Sequence, residues 1–134
     1  MQVAKSESAS VRTESDIVNV RQMTRLWSTE CKFSLVDQTK MVTAASELAR
    51  NTVVYGGGGT LRMEILNDGM RKGLRLTFVD HGPGISDVER ALSDGYTSGS
   101  GLGLGLGGAR RLVNDFEIKS EPGQGTTVVI TRWK

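Results

Sequence analysis

Two polar residues four positions apart, Glu47 and Asn51, could take part in chemistry in this 134-residue sequence. In a helix, side chains at this spacing are neighbours on one face. The amide oxygen of Asn51 could complete the coordination shell of a Mg²⁺ ion already held by phosphates. A carboxylate beside it could accept the proton of an attacking hydroxyl group. The pair is therefore compatible with phosphoryl transfer, although a solvated helical face is the simpler interpretation of the pair alone.

A second candidate site is predicted where two strands meet. Asp80 has the parity of the buried-face residues of its strand, and a buried carboxylate is costly unless something bonds to it. Gly82 and Gly84 follow without side-chain bulk, which leaves room for a flat ligand whose amino group Asp80 could bind, such as N6 of adenine. Thr126 is expected to reach the same end of this pocket from another strand. Taken singly, a turn-initiating aspartate and an ordinary strand threonine are the simpler interpretations.

The third feature is a glycine-rich stretch at residues 95–108, GYTSGSGLGLGLGG, which holds seven of the seventeen glycines. Backbone N–H groups that can approach closely, followed by the positive end of a helix, suit a polyphosphate. No GK[ST] follows, and no buried strand precedes it, so neither a P-loop nor a dinucleotide-binding turn is indicated. We expect a phosphate-covering lid between two helices.

The elements that must position these residues follow from hydrophobic periodicity. Residues 1–9 are small and polar and are predicted to form a flexible tail. Helices are predicted at 16–32, 35–55, 86–92 and 109–115, and strands at 60–67, 73–80, 116–120 and 126–133. Ser15 or Asp16 is the predicted N-cap of the first helix, and Ser86 that of the third. Helices and strands are segregated along the chain, which indicates one α+β domain, a two-layer sandwich, over residues 1–134.

The composition narrows the classes of function. The net charge of +2 and an aromatic content of 5% leave little for nucleic-acid binding. The single cysteine, Cys31, excludes an internal disulfide, and with the single histidine, His81, it gives no zinc-site spacing. We expect no membrane segment, because no apolar run is long enough, and the N-terminus has no signal-peptide pattern. A cytoplasmic location is therefore expected.

Four segments, in chain order, resemble the GHKL, or Bergerat-fold, ATPase and kinase superfamily. ELARN at 47–51 resembles its N box, DHGPGI at 80–85 its D-x-G-x-G box, GSGLGLG at 99–105 its lid glycine box, and GQGT at 123–126 its closing G-x-G-T. The resemblance extends from about residue 11 to 133. Within the superfamily the chain is most similar to the small bacterial switch kinases of the anti-sigma type, including those of stressosome modules.

This resemblance implies a mixed, mostly antiparallel sheet covered on one face by helices. It also implies a serine/threonine kinase that uses ATP and Mg²⁺ to phosphorylate STAS-domain partners, and that binds a PP2C-type phosphatase or another effector after release. Glu47 would be the general base, Asn51 the Mg²⁺ ligand, and Asp80 the partner of the adenine amino group. The other implied nucleotide contacts are Gly82, Gly84, Gly99, Gly101, Leu102, Gly103, Leu104, Gly105, Gly107 and Thr126.

Two alternatives stay open. The ATP-binding domain of a sensor histidine kinase would need a dimerisation helix pair, which this sequence lacks, so it would act on a partner in trans. A non-catalytic anti-sigma-type protein would bind ATP, or only its partners, and act by sequestration. Glu47 favours the kinase, because binding alone does not require a base.

Overall fold

The computed structural model describes residues 1–92 and 105–134. One strand precedes two long helices, and two strands, two short helices and two final strands follow. They are β1 (Gln2–Val11), α1 (Glu14–Glu30), α2 (Leu35–Arg50), a π-helical turn (Asn51–Tyr55), β2 (Gly59–Asn67), β3 (Lys72–Asp80), α3 (Val88–Leu92), α4 (Leu106–Arg111), β4 (Asp115–Ser120) and β5 (Thr126–Trp133). Within these two ranges, no helix is long and apolar enough to cross a membrane.

The strands form one five-stranded sheet in the order β1-β2-β3-β5-β4. All four neighbouring pairs are antiparallel, so the described residues contain no parallel pair of the kind a mixed sheet would include. The helices cover one face. Buried side chains of α1 and α2, such as Trp27 and Met41, form a single core with those of β2, β3 and β5, such as Leu61, Leu76 and Ile130. The predicted α+β class is thereby confirmed.

The prediction of a flexible tail at residues 1–9 is wrong. Residues 2–11 form β1, an edge strand that pairs antiparallel with β2 from Gln2 to Val11. Lys5 anchors this strand to α1, because its Nζ lies 2.9 Å from an oxygen of Glu30 and 4.4 Å from the centre of the Trp27 ring. Most β1 side chains are exposed, so the strand is held mainly by backbone hydrogen bonds that a hydrophobic pattern does not reveal.

Several helix ends also differ from the predictions. Thr13, not Ser15 or Asp16, is the N-cap of α1, and Asp16 completes a capping box with it. Asp87, not Ser86, caps α3, because its carboxylate accepts the N–H of Arg90 at 3.0 Å. The fourth helix begins at residue 106 instead of 109 and ends at 111, and residue 115 already belongs to β4.

Arg132 near the end of β5 forms an ion pair with α2 and a hydrogen bond with the end of α4. Nη2 of Arg132 on β5 lies 2.6 Å from Oδ1 of Asp37 in the first turn of α2. Nη1 of Arg132 donates to the carbonyl of Leu112, the C-cap of α4, at 2.8 Å. The bond from Arg132 lowers the pKa of Asp37 below its ordinary value of 3.8. Arg132 therefore joins β5, α2 and α4 near one point.

This ion pair gives the first prediction. A carboxyl whose pKa is lowered by folding contributes stability above its ordinary pKa and loses it as the pH falls through the folded value. We expect Asp37→Asn to lower the free energy of unfolding at neutral pH by on the order of 1 kcal/mol, a small value because the pair is partly exposed. The difference between the variant and the wild type should disappear as the pH falls below 3.8, through the lower pKa that Asp37 has in the folded state. Denaturant unfolding at a series of pH values measures both effects.

The matched control is Glu117→Gln, which neutralises an exposed carboxylate on β4. Its free energy of unfolding should change with pH as steeply as that of the wild type. Equal slopes for the wild type and Asp37→Asn would contradict a stabilising role for the Asp37–Arg132 pair.

Candidate nucleotide-binding site

A pocket opens between the end of α2, the start of α4 and the ends of β3 and β5. Its cavity volume is about 20 Å³, within about 350 Å³ of space that includes open solvent. Its walls are mostly apolar, and its polar groups lie toward one end and one side. The lining residues are Leu48, Asn51, Thr52, Tyr55, Phe78, Asp80, Ile85, Leu106, Thr126 and Val128.

Asp80 and Thr126 form the polar end of this pocket. They are direct partners across the β3–β5 pair, and each is only 8% exposed. Oδ1 of Asp80 accepts the N–H of Gly82 at 2.9 Å. The parity of the two strands predicted that these side chains share one end of a pocket, and the structure places them there.

Glycines hold the backbone close around Asp80. A Cβ atom on Gly56 would lie 2.6 Å from Oδ2 of Asp80, and one on Gly82 would lie 2.7 Å from Cα of Gly56. Gly84 has a φ of +75° and packs against the carbonyl of Glu121. The lack of a side chain at Gly82 therefore makes room for the backbone of Gly56. In the sequence, Gly56 directly follows the predicted helix at 35–55, and nothing local links it to Asp80.

The end of α2 places Asn51 at the pocket, and a π-helical turn follows. Asn51 is the C-cap of α2 and begins this turn, in which the N–H of Gly56 donates to the Asn51 carbonyl at 2.9 Å. The predicted helix to residue 55 is thus α-helical only to Arg50. The hydroxyl of Thr52 donates to the carbonyl of Leu48 at 2.8 Å, which holds the turn against α2. Single π turns of this kind occur often at functional sites.

Glu47 lies one helical turn before Asn51 and is half-buried, next to the start of α4. Gly105, the N-cap of α4, has a φ of +66°. A Cβ atom there would lie 3.1 Å from Cδ of Glu47 and would collide with its carboxylate. The end of the glycine-rich stretch therefore packs directly on Glu47. Leu106 is buried and lines the pocket, and Gly107 is buried in the first turn of α4.

Two further residues connect the loop after Asp80 to its surroundings. The hydroxyl of Tyr55 donates to the carbonyl of Gly84 at 3.0 Å, and the N–H of Ile85 donates to Oγ of Ser120 at 2.7 Å. Sequence reasoning missed both. The available signal for Ser120 was its position at the end of a predicted strand, directly before the turn that leads to Thr126.

Five of the predicted nucleotide contacts lie outside the described residues. They are Gly99, Gly101, Leu102, Gly103 and Leu104. Their contacts with a nucleotide stay predictions. Of the glycine-rich stretch, the structure places residues 105–108, at the Glu47 side of the pocket.

The residues present fit a purine nucleotide. Apolar side chains such as Phe78 and Ile85 can enclose a flat ring, while Asp80 and Thr126 offer oxygen atoms to a polar edge of that ring. The close packing of Gly56 and Gly82 around Asp80, which a Cβ atom on either glycine would prevent, fixes this carboxylate at the end of the pocket. Asn51 lies on the pocket wall, where its amide oxygen could serve as a ligand of a divalent cation.

Comparison with known proteins identifies the family. Residues 36–134 match the model of the histidine kinase-, DNA gyrase B- and HSP90-like ATPases. The chain belongs to this ATPase family. The predicted superfamily is therefore confirmed.

Two curated relatives narrow the group. The chain is 42% identical to the serine/threonine-protein kinase RsbT of Bacillus subtilis, over 92% of each chain. It is 32% identical to an anti-sigma F factor of Clostridium beijerinckii, over 67% of this chain and 66% of the relative. The predicted resemblance to switch kinases is confirmed, and so is the predicted enzyme class, since the first relative is named a serine/threonine-protein kinase.

Two solved structures share the fold. The RsbU and RsbW domains of Rv1364c from Mycobacterium tuberculosis superpose with a TM-score of 0.67 at 21% identity, covering 98% of this chain and 33% of that one. The SiaB–SiaC complex from Pseudomonas aeruginosa gives 0.54 at 12% identity, covering 98% and 91%. At these identities the likeness supports the fold of the ATPase family.

Proposed function

We propose that this ATPase-family chain is a serine/threonine protein kinase that phosphorylates STAS-domain partner proteins in a bacterial stress-signalling, stressosome-type partner-switching module. Released from these partners, it binds and regulates a PP2C-type phosphatase or another effector in the cytoplasm. The observation that carries the proposal is the position of Glu47. A carboxylate packed against the end of the glycine-rich stretch, one turn before Asn51, suits transfer rather than binding alone.

Each site residue has one role in the proposed reaction. ATP supplies the phosphoryl group, and the phosphate–ADP bond breaks as the partner's hydroxyl oxygen bonds to phosphorus. Glu47 accepts the proton that this hydroxyl loses. Asn51 contributes its amide oxygen to Mg²⁺. Asp80 and Thr126 bind the amino edge of adenine and so fix the nucleotide in the pocket.

A transfer assay tests the proposal. Purified chain is incubated with Mg²⁺, γ-labelled ATP and STAS-domain proteins encoded beside its gene. We expect label on a serine or threonine of one such protein, stable in acid and lost when that residue is replaced by alanine. Acid-labile label would instead indicate phosphohistidine and a histidine-kinase activity.

A second candidate is a non-catalytic ATP-binding protein that sequesters its partners, which the similarity to an anti-sigma F factor favours. This candidate predicts stable complexes with a partner in the presence of ATP and no label on it. Complex formation without transfer to any STAS protein tested would replace the kinase proposal with this one.

A further inference from the structure

The hydroxyl of Ser120 forms hydrogen bonds with both loops that border the polar end of the pocket. Ser120 pairs with Thr126 across β4 and β5, and the two hydroxyl oxygens lie 2.7 Å apart. The same Oγ accepts the N–H of Ile85 at 2.7 Å and lies 3.1 Å from the carbonyl oxygen of Gly125. Ser120 belongs to none of the four segments that resemble the superfamily.

Counting protons assigns a direction to these hydrogen bonds. A serine hydroxyl has one proton to donate and two lone pairs that accept. The Gly125 carbonyl can only accept, so the Ser120 proton is directed to it. The two lone pairs of Ser120 then accept the N–H of Ile85 and the proton of the Thr126 hydroxyl. All three contacts are satisfied at once only in this arrangement.

This arrangement fixes the direction of the Thr126 hydroxyl proton. With its proton held by Ser120, its hydroxyl can face the pocket only with lone pairs. Its cross-strand neighbour Asp80 offers a carboxylate, which also accepts. The polar end of the pocket therefore presents acceptors to a ligand. A 6-amino group on a purine donates to such a surface. The oxygen of a 6-oxo group would instead face the oxygens of Asp80 and Thr126, acceptor against acceptor.

We propose that Ser120 is a positioning residue that sets nucleotide specificity: it holds the Thr126 proton away from the pocket, so that the site selects a 6-aminopurine over a 6-oxopurine nucleotide. The inference rests on the proposed nucleotide site. It does not depend on phosphate transfer, since discrimination of the base occurs on binding.

The test compares the affinities of ATP and inosine triphosphate, in which an oxo group replaces the amino group. Affinities are measured by calorimetry for the wild type, Ser120→Ala, Ser120→Thr, Thr126→Val and the Ser120→Ala/Thr126→Val double variant. We expect the preference for ATP to fall about tenfold in Ser120→Ala, because a freed Thr126 hydroxyl can turn and donate to the oxo group. Ser120→Thr should retain the preference, since it keeps the hydroxyl and Ser120 lines an open groove.

The double variant separates positioning from a general structural effect. If Ser120 acts through Thr126, removing its hydroxyl in the Thr126→Val background should leave the ATP-to-inosine-triphosphate ratio unchanged. Equal losses of both affinities in Ser120→Ala, with an unchanged ratio, would overturn the proposal. Should Ser120→Ala fail to fold, Thr126→Val alone decides, because an unaltered ratio there would also overturn it.

The outcomes distinguish this inference from the proposed function. A wild type that binds neither nucleotide overturns both. A wild type that prefers ATP by way of Ser120 but labels no partner supports the inference and contradicts the kinase proposal.

Discussion

Replacing Glu47 with glutamine should lower the rate of phosphate transfer by about 10²–10⁴-fold and leave ATP affinity within about twofold. Glutamine has nearly the same size and length as glutamate, so the packing of Gly105 against this side chain is preserved. It cannot take up the proton of an attacking hydroxyl. The rate is measured with γ-labelled ATP at saturating ATP and partner concentrations, and the affinity by calorimetry.

Glu14→Gln is the matched control for this variant. Glu14 is an exposed carboxylate in the first turn of α1, and its replacement should change neither transfer nor binding. Transfer that persists at the wild-type rate in Glu47→Gln would remove the general-base assignment. A parallel fall in ATP affinity would mean that Glu47 contributes to holding the nucleotide instead.

The positions of the main site residues were predictable because periodicity fixes them. A spacing of four on a helix places Glu47 beside Asn51, and strand parity places Asp80 and Thr126 on one face. Ser120 was not predictable in this way. Its contact with Ile85 joins residues 35 apart in sequence, and its importance depends on a neighbour that the pattern of β4 does not reveal.

Strands with one buried face were predictable from the sequence, whereas a strand with almost no buried side chains was not. The strands 60–67, 73–80, 116–120 and 126–133 alternate between a buried and a more exposed face, and each is found within one residue of its predicted bounds. β1 has almost no buried side chains, so its polar sequence resembles a tail. The early start of α4 was missed because glycine is a weak helix former, yet Gly107 and Gly108 lie within it.

The π-helical turn was a different kind of omission. Residues 51–55 continue the apolar pattern of α2, and a π turn preserves helical periodicity closely enough that the pattern cannot distinguish it. Its effect is nevertheless local to the site, because the hydrogen bond that closes it is made by Gly56, which packs against Asp80. Backbone geometry of this kind follows from packing around the pocket rather than from composition.

Asn51→Ala should weaken ATP binding at least about tenfold in the presence of Mg²⁺ and leave it nearly unchanged when EDTA removes the metal. The amide of Asn51 is proposed to act on the nucleotide only through Mg²⁺, so its loss should remove the metal-dependent part of the affinity.

Asp80→Asn should give the opposite pattern. Gly82 would still bond to the amide oxygen, and the NH₂ group would then face the amino group of adenine, donor against donor. Its loss of ATP affinity should therefore be equal with and without Mg²⁺. Calorimetric titrations of both variants in the two buffers measure the contrast, and a Mg²⁺-independent loss in Asn51→Ala would exclude Asn51 as the metal ligand.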